Sequence, residues 1–131
     1  MKFLILTIRP SLFDLLKPKL SQLNIHRYKF FACQGNFGED NKTAWYRGGL
    51  IDSKDDRRIR VEMALADEKV KPIIKALKSL RTDQERLEGS VDGIFFLIEI
   101  EDILDLTTGT RGNDYFKLPL GPKDPNTAIK I

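Results

Sequence analysis

GNFGEDNKTAWYRGGLIDSKDD, residues 35–56, separates two strand-like runs with a long, mostly polar stretch. Connections longer than about 12–15 residues without structure of their own are uncommon in compact domains unless they function. Its flanks decide the fold. Before it, Ile25 to Cys33 reads as a strand in which Tyr28, Phe30 and Ala32 alternate with Arg27 and Lys29. After it, Arg58 to Leu65 sets Ile59, Val61, Met63 and Leu65 on one face and Arg58, Arg60 and Glu62 on the other.

Working outward, Lys2 to Ile8 is almost continuously apolar and reads as a buried strand. Ser11, with Asp14 three residues on, has the form of a capping box. Leu12, Leu16, Leu20 and Leu23 then recur at helical spacing up to Asn24, and Pro18 inside that pattern predicts a kink. Asp67 is the expected N-cap of a second helix with Val70, Ile73, Ile74, Leu77 and Leu80 on one stripe. Arg81 to Gly89 reads as a charged connection, and Ile94 to Ile100 as a buried strand. Residues 107–112 form a glycine-punctuated loop. The tail from Asn113 to Ile131 has three prolines and no clear period, which predicts irregular structure.

The order β-α-β-loop-β-α-β predicts an α+β, ferredoxin-like βαββαβ fold over residues 1–112, an antiparallel four-stranded sheet with two helices on one face. The first and last strands are apolar on both faces, yet two helices cover only one. The uncovered face predicts packing against further copies of the chain, hence a homo-oligomer.

The 131 residues fit one domain and carry a net charge of +3 from 22 basic and 19 acidic residues. That balance is mildly basic and interspersed, which describes a solvated surface rather than a nucleic-acid footprint. Arg57, Arg58 and Arg60 alternate with no aromatic platform for bases, so no nucleic-acid partner is expected. One cysteine, Cys33, and one histidine, His26, exclude an intrachain disulfide and a zinc site built from Cys and His alone. The start MKFLILTIRP has too short an apolar run for a signal core, and the expected location is cytoplasmic. No paired carboxylates or nucleophile–base pair stand out, and an enzyme is not expected. Gly35 and Gly38 also read as simple turn glycines, and Asp92-Gly93 as a tight turn. Trp45 and Tyr46 in the long loop read either as partner anchors or as side chains packing the loop onto the body.

Taken in order, these segments resemble the PII signal-transduction proteins and their PII-like relatives. The opening MKFLILTIRPSLFDLLKPKLSQLNI, with its Arg9-Pro10 pair, has the shape of that family's first strand and helix. Gly35-Asn36-Phe37-Gly38 and Trp45-Tyr46-Arg47-Gly48 resemble the base and the Tyr-Arg-Gly of its long T-loop, here about residues 36–56. Ser90-Val91-Asp92-Gly93 resembles its B-loop, and Thr108-Gly109-Thr110-Arg111-Gly112 its C-loop. The resemblance implies a homotrimer that binds an adenine nucleotide in clefts between subunits. It implies that Gly35, Gly38, Gly89, Asp92, Gly93, Thr108, Gly109 and Arg111 form the cleft. It implies that the loop, with Trp45, Tyr46 and Arg47, docks on a transporter, enzyme or regulator.

Departures from the family pattern alter the expected ligand. Ile94 stands where a basic residue usually follows the B-loop Asp-Gly, and Asp105 and Thr107 stand where two arginines are expected before the C-loop. A charge-assisted hydrogen bond is worth about 1.5–3 kcal/mol, so losing three cations removes most affinity for a triphosphate. Backbone N–H groups at Gly35, Gly38, Asp92 and Gly93, with Arg57, Arg58 or Arg111, remain as anion donors. The expected effector therefore carries less phosphate charge, such as AMP, ADP or a cyclic nucleotide; a different anion, or no ligand at all, are the alternatives. Gly49, Leu50 and Ile51 occupy the positions the family modifies covalently. The alternative is a ferredoxin-like trimer of the divalent-cation-tolerance type with a metal-related or structural role.

Overall fold

In a computed structural model, the described residues are 1–35, 57–89 and 92–120, together with the backbone of 43–46 and 49–52. The chain runs β1 (Lys2–Ile8), α1 (Pro10–Gln22), β2 (Lys29–Gln34), β3 (Thr43–Tyr46), β4 (Gly49–Asp52), β5 (Arg57–Leu65), α2 (Asp67–Glu88), β6 (Ile94–Glu99) and a 3-10 helix (Gly112–Lys117). Four strands form one antiparallel sheet in the order β2-β5-β1-β6. This is the ferredoxin-like arrangement expected, with β1 central and β2 and β6 at the edges.

Register follows the alternation of the strands. β1 pairs with β5 from Lys2↔Leu65 to Ile8↔Ile59, and with β6 from Lys2↔Glu99 to Thr7↔Ile94. One face of β1 and β5 therefore presents Leu4, Leu6, Ile8, Val61, Met63 and Leu65, all buried. Leu12, Phe13, Leu16 and Leu20 of α1 and Ile73 and Leu80 of α2 close over them as one core. The other face is uncovered. Phe96 is 52% exposed, Ile94 51%, Ile98 47% and Phe31 43%, and the register sets Phe3 and Ile5 beside Ile98 and Phe96 on that face.

Helix ends differ from the sequence reading. The N-cap of α1 is Arg9, with no side-chain cap, because Pro10 at the first helical position has its φ already set for a helix. Ser11 turns its hydroxyl to Glu88 instead. Pro18 lies within α1 without dividing it. The helix ends as the sequence predicts: Asn24 adopts φ 58, its N–H donates to Ser21 O at 3.0 Å, and Ile25 N–H donates to Leu20 O at 2.9 Å. Likewise Ala66, not Asp67, is the N-cap of α2; Asp67 lies in the first turn and pairs with the N-terminal ammonium at 2.7 Å.

The expected connection over 81–89 is instead the last two turns of α2. Arg, Gln and Glu are good helix formers, and Gln84 continues the buried stripe from Leu80. The long loop carries a two-stranded ribbon, β3 paired with β4 from Thr43↔Asp52 to Tyr46↔Gly49. The described part of the tail, to residue 120, packs on the body: Arg27 Nη2 donates to Leu118 O at 3.0 Å and Pro119 O at 2.7 Å, with its guanidinium over the Tyr115 ring.

Candidate functional site

Three chain segments meet at the sheet end from which the long loop leaves. Gln34 pairs with Arg57 and closes the loop base. Arg9 follows β1, Arg58 opens β5, and Asp92 precedes β6. A single oxygen, Asp92 Oδ2, accepts from Arg9 Nε and from Arg58 Nη2, each at 2.9 Å. Arg9 Nη1 donates to Glu88 Oε2 at 2.7 Å, and Ser11 Oγ donates to the other Glu88 oxygen. Arg58 also caps the backbone, donating to Arg57 O at 2.9 Å. Only 4% of the Arg58 side chain and 14% of Asp92 is exposed.

These contacts set the local electrostatics. Burial opposes the charge on Arg9, but its bonds to Glu88 and Asp92 outweigh that cost and raise its pKa further. The Ser11 hydroxyl and then Arg9 hold the Glu88 carboxyl below its ordinary range, again against desolvation.

Two glycines shape the chain here for different reasons. Gly89 takes φ 72 and ends α2, its N–H donating to Glu85 O at 2.9 Å. Gly93 takes φ 133 and runs close to β1; a Cβ there would stand 3.2 Å from both Ile8 Cγ2 and Thr7 O.

The expected C-loop residues lie past the other end of β6. Asp105 organises them: its carboxylate accepts from Thr107 N–H at 2.8 Å, its N–H donates to Thr110 O at 2.8 Å, and its C=O accepts from Gly109 N–H at 2.7 Å. Leu104 and Arg111 face each other in an isolated bridge. Arg111 pairs with Asp102, whose carboxyl is held below its ordinary range by that bond and by the Ile103 N–H. Asp105 thus occupies the place of an expected arginine and serves as a turn former.

The structure brings together Gly89, Asp92 and Gly93, with Gly35 following β2 at the same sheet end. It brings together Thr108, Gly109 and Arg111 in a second group. The six residues of β6 separate the two groups, about 17–20 Å of strand. No described hydrogen bond or ion pair joins them. Gly38 and Arg47 lie outside the described residues; Trp45 and Tyr46 are described only as backbone in β3. Sequence reading missed Glu88 as the partner of both Arg9 and Ser11, and Asp102 as partner of Arg111. The Arg9–Glu88 contact joins residues 79 positions apart, which no local pattern reports.

Among the described residues no three His, Cys, Asp or Glu side chains converge as metal ligands, and no helix is long and apolar enough to cross a membrane.

A βαββαβ unit with an open apolar sheet face and a long loop between its second and third main strands defines a ferredoxin-like domain. The chain belongs to the P-II family: the family model "Nitrogen regulatory protein P-II" matches residues 1–110. It is 27% identical over 112 residues to the nitrogen regulatory protein GlnK1 of Methanosarcina mazei, covering 86% of this chain and 94% of that one. It is 25% identical over 108 residues to the nitrogen regulatory protein P-II of Rhizobium meliloti, covering 82% and 92%. It is 26% identical over 104 residues to the nitrogen regulatory PII-like protein of Bacillus subtilis, covering 79% and 86%. Membership in this family gives the chain a signalling and regulatory role.

Proposed function

We propose that this chain assembles as a homotrimer and senses an adenine nucleotide of low phosphate charge at the subunit boundaries. The observation that carries this reading is the division of the site. The Asp92–Gly93 segment and the Thr108–Arg111 segment sit at opposite ends of β6, so one cleft holding both takes each from a different copy. The half-exposed Ile94, Phe96 and Ile98 supply the apolar surface for that contact.

Charge decides the ligand class. Asp92 and Glu88 already neutralise much of Arg9 and Arg58, and Asp102 neutralises Arg111. An incoming phosphate competes with carboxylates in place, and a triphosphate finds few uncommitted cations. AMP, ADP or a cyclic nucleotide fits this field better than ATP. The bound effector biases the loop over residues 36–56, and that loop docks on a target protein in a regulatory rather than catalytic role.

Sedimentation combined with calorimetric titration of AMP, ADP, ATP and cyclic AMP tests the reading. A three-copy mass with AMP, ADP or cyclic AMP binding more tightly than ATP is expected. A stable monomer at micromolar concentration, or ATP binding tightest, overturns it.

A further inference from the structure

On the opposite face of the sheet, a groove of about 450 Å³ runs between α2 and the edge strand β6. Leu6, Ile8, Ile74, Leu77 and Phe95 make its apolar walls. Gln84 lines it too, although its side chain is 1% exposed. Among the described residues, neither Gln84 Nε2 nor Oε1 has a hydrogen-bond partner within 3.5 Å. After Ser11 and Arg9, Gln84 also helps hold the carboxyl of Glu88, one turn on, below its ordinary range. Leaving a buried amide unpaired is unfavourable, and buried polar groups in native proteins are rarely left so. Arg81 and Lys78 stand at the same groove about one and nearly two helical turns before Gln84, both exposed, and neither makes an ion pair with any described residue.

We propose that this groove is a second ligand site, taking a small amphipathic carboxylate. Its apolar body lies against Leu77 and Phe95, its anionic head meets Lys78 and Arg81, and an amide-like group satisfies Gln84. The size and the mix of apolar wall with a few converging polar groups are those of small-molecule pockets. The groove also holds the Asp92 carboxylate, but that group is paired with Arg9 and Arg58; Lys78 and Arg81 with the neutral Gln84 amide then favour an anion with a hydrogen-bonding group set back from it. Asp92 and Gly93 of the loop-base cluster line the far end of the groove, so the two sites adjoin, and the proposed ligand is held at the Lys78, Arg81 and Gln84 end.

N-acetyl-L-phenylalanine carries the three features, and its C-terminal amide carries all but the charge. Titrating each into the isotopically labelled full chain and following backbone amide shifts tests the site. Saturable shifts centred on Leu77, Gln84 and Phe95 are expected with the acid, with at least tenfold weaker binding of the amide. Arg81→Glu should weaken the acid at least tenfold while leaving the fold intact. Gln84→Leu keeps the apolar volume and should abolish saturation; unchanged shifts at residues distant from the groove check that this variant folds. Absence of saturable shifts with the acid overturns the proposal, as does binding unchanged in both variants. Groove shifts that change on dilution of the protein alone place a second copy in the groove and also overturn it.

Discussion

Arg58 and Asp92, 34 residues apart, share a 2.9 Å ion pair at the foot of the long loop, with 4% and 14% of their side chains exposed. The same Asp92 oxygen holds Arg9, so one carboxylate ties the end of β1, the start of β5 and the entry to β6. Removing one member of such a buried pair strands the other charge, which typically costs about 3–5 kcal/mol. Asp92→Ala is therefore expected to destabilise the domain by about 3 kcal/mol, because Arg58 keeps its bond to Arg57 O. Urea unfolding measures this. A loss below about 1 kcal/mol would show that Asp92 does not hold the loop base.

Acid stability follows from Glu88. Its carboxyl is held below the ordinary range by Ser11 and Arg9. A depressed folded pKa means that its contribution is fully present above the unfolded value, about pH 4.3, and is lost as pH falls through the folded value. With 28% of the side chain exposed, solvent screening reduces that contribution to about 1 kcal/mol or less. Glu88→Gln should lower stability at neutral pH by that amount and flatten the fall below about pH 4. Unfolding midpoints at pH 7 and pH 3 for both proteins decide it; parallel losses would assign the acid sensitivity elsewhere.

The open sheet face makes a separate prediction. Phe96 is 52% exposed and stands opposite Ile5, within the row that includes Ile94 and Ile98. Phe96→Glu puts a charge into that row without touching the helix-side core. Sedimentation is expected to shift from an oligomer to a folded monomer with an unchanged circular dichroism spectrum. An unaltered mass would remove this face from the assembly contact.

The fold was largely legible because its two periods are unmistakable. Strict alternation from Ile59 to Leu65 fixes the inner face of β5, and Leu12, Leu16 and Leu20 fix that of α1; all of these except Ile59, which is partly buried, are fully enclosed. Boundaries were less legible. Ser11 and Asp67 have the chemistry of caps, yet Glu88 and the N-terminal ammonium claim their oxygens, and those partners are remote in sequence. The last turns of α2 were read as a connection because Arg81 to Glu88 lack an apolar stripe; a buried glutamine completes it. Of the candidate site, the Asp92-Gly93 and Thr108–Arg111 segments were visible as motifs. What escaped was that Glu88, Asp92 and Asp102 pair with Arg9, Arg58 and Arg111.

Gly93 gives the last prediction, and two independent effects act in the same direction there. Its φ of 133 is a conformation that residues with a side chain rarely adopt. Its missing Cβ also leaves room that Ile8 Cγ2 and Thr7 O approach to 3.2 Å. The Ile8 methyl has little freedom to yield because Ile8 is 2% exposed within the core, and the Thr7 carbonyl belongs to the central strand. Gly93→Ala must then rotate the backbone between Asp92 and Ile94, which pulls Asp92 off Arg9 and Arg58. Strained backbone costs about 1–3 kcal/mol on its own, so the total should exceed the strain alone. Combining Gly93→Ala with Asp92→Ala in a double-mutant cycle checks the mechanism by urea unfolding. Losses well short of additive are expected if both act through the same ion pair, whereas additive losses would mean that the glycine serves packing against Ile8 and nothing more.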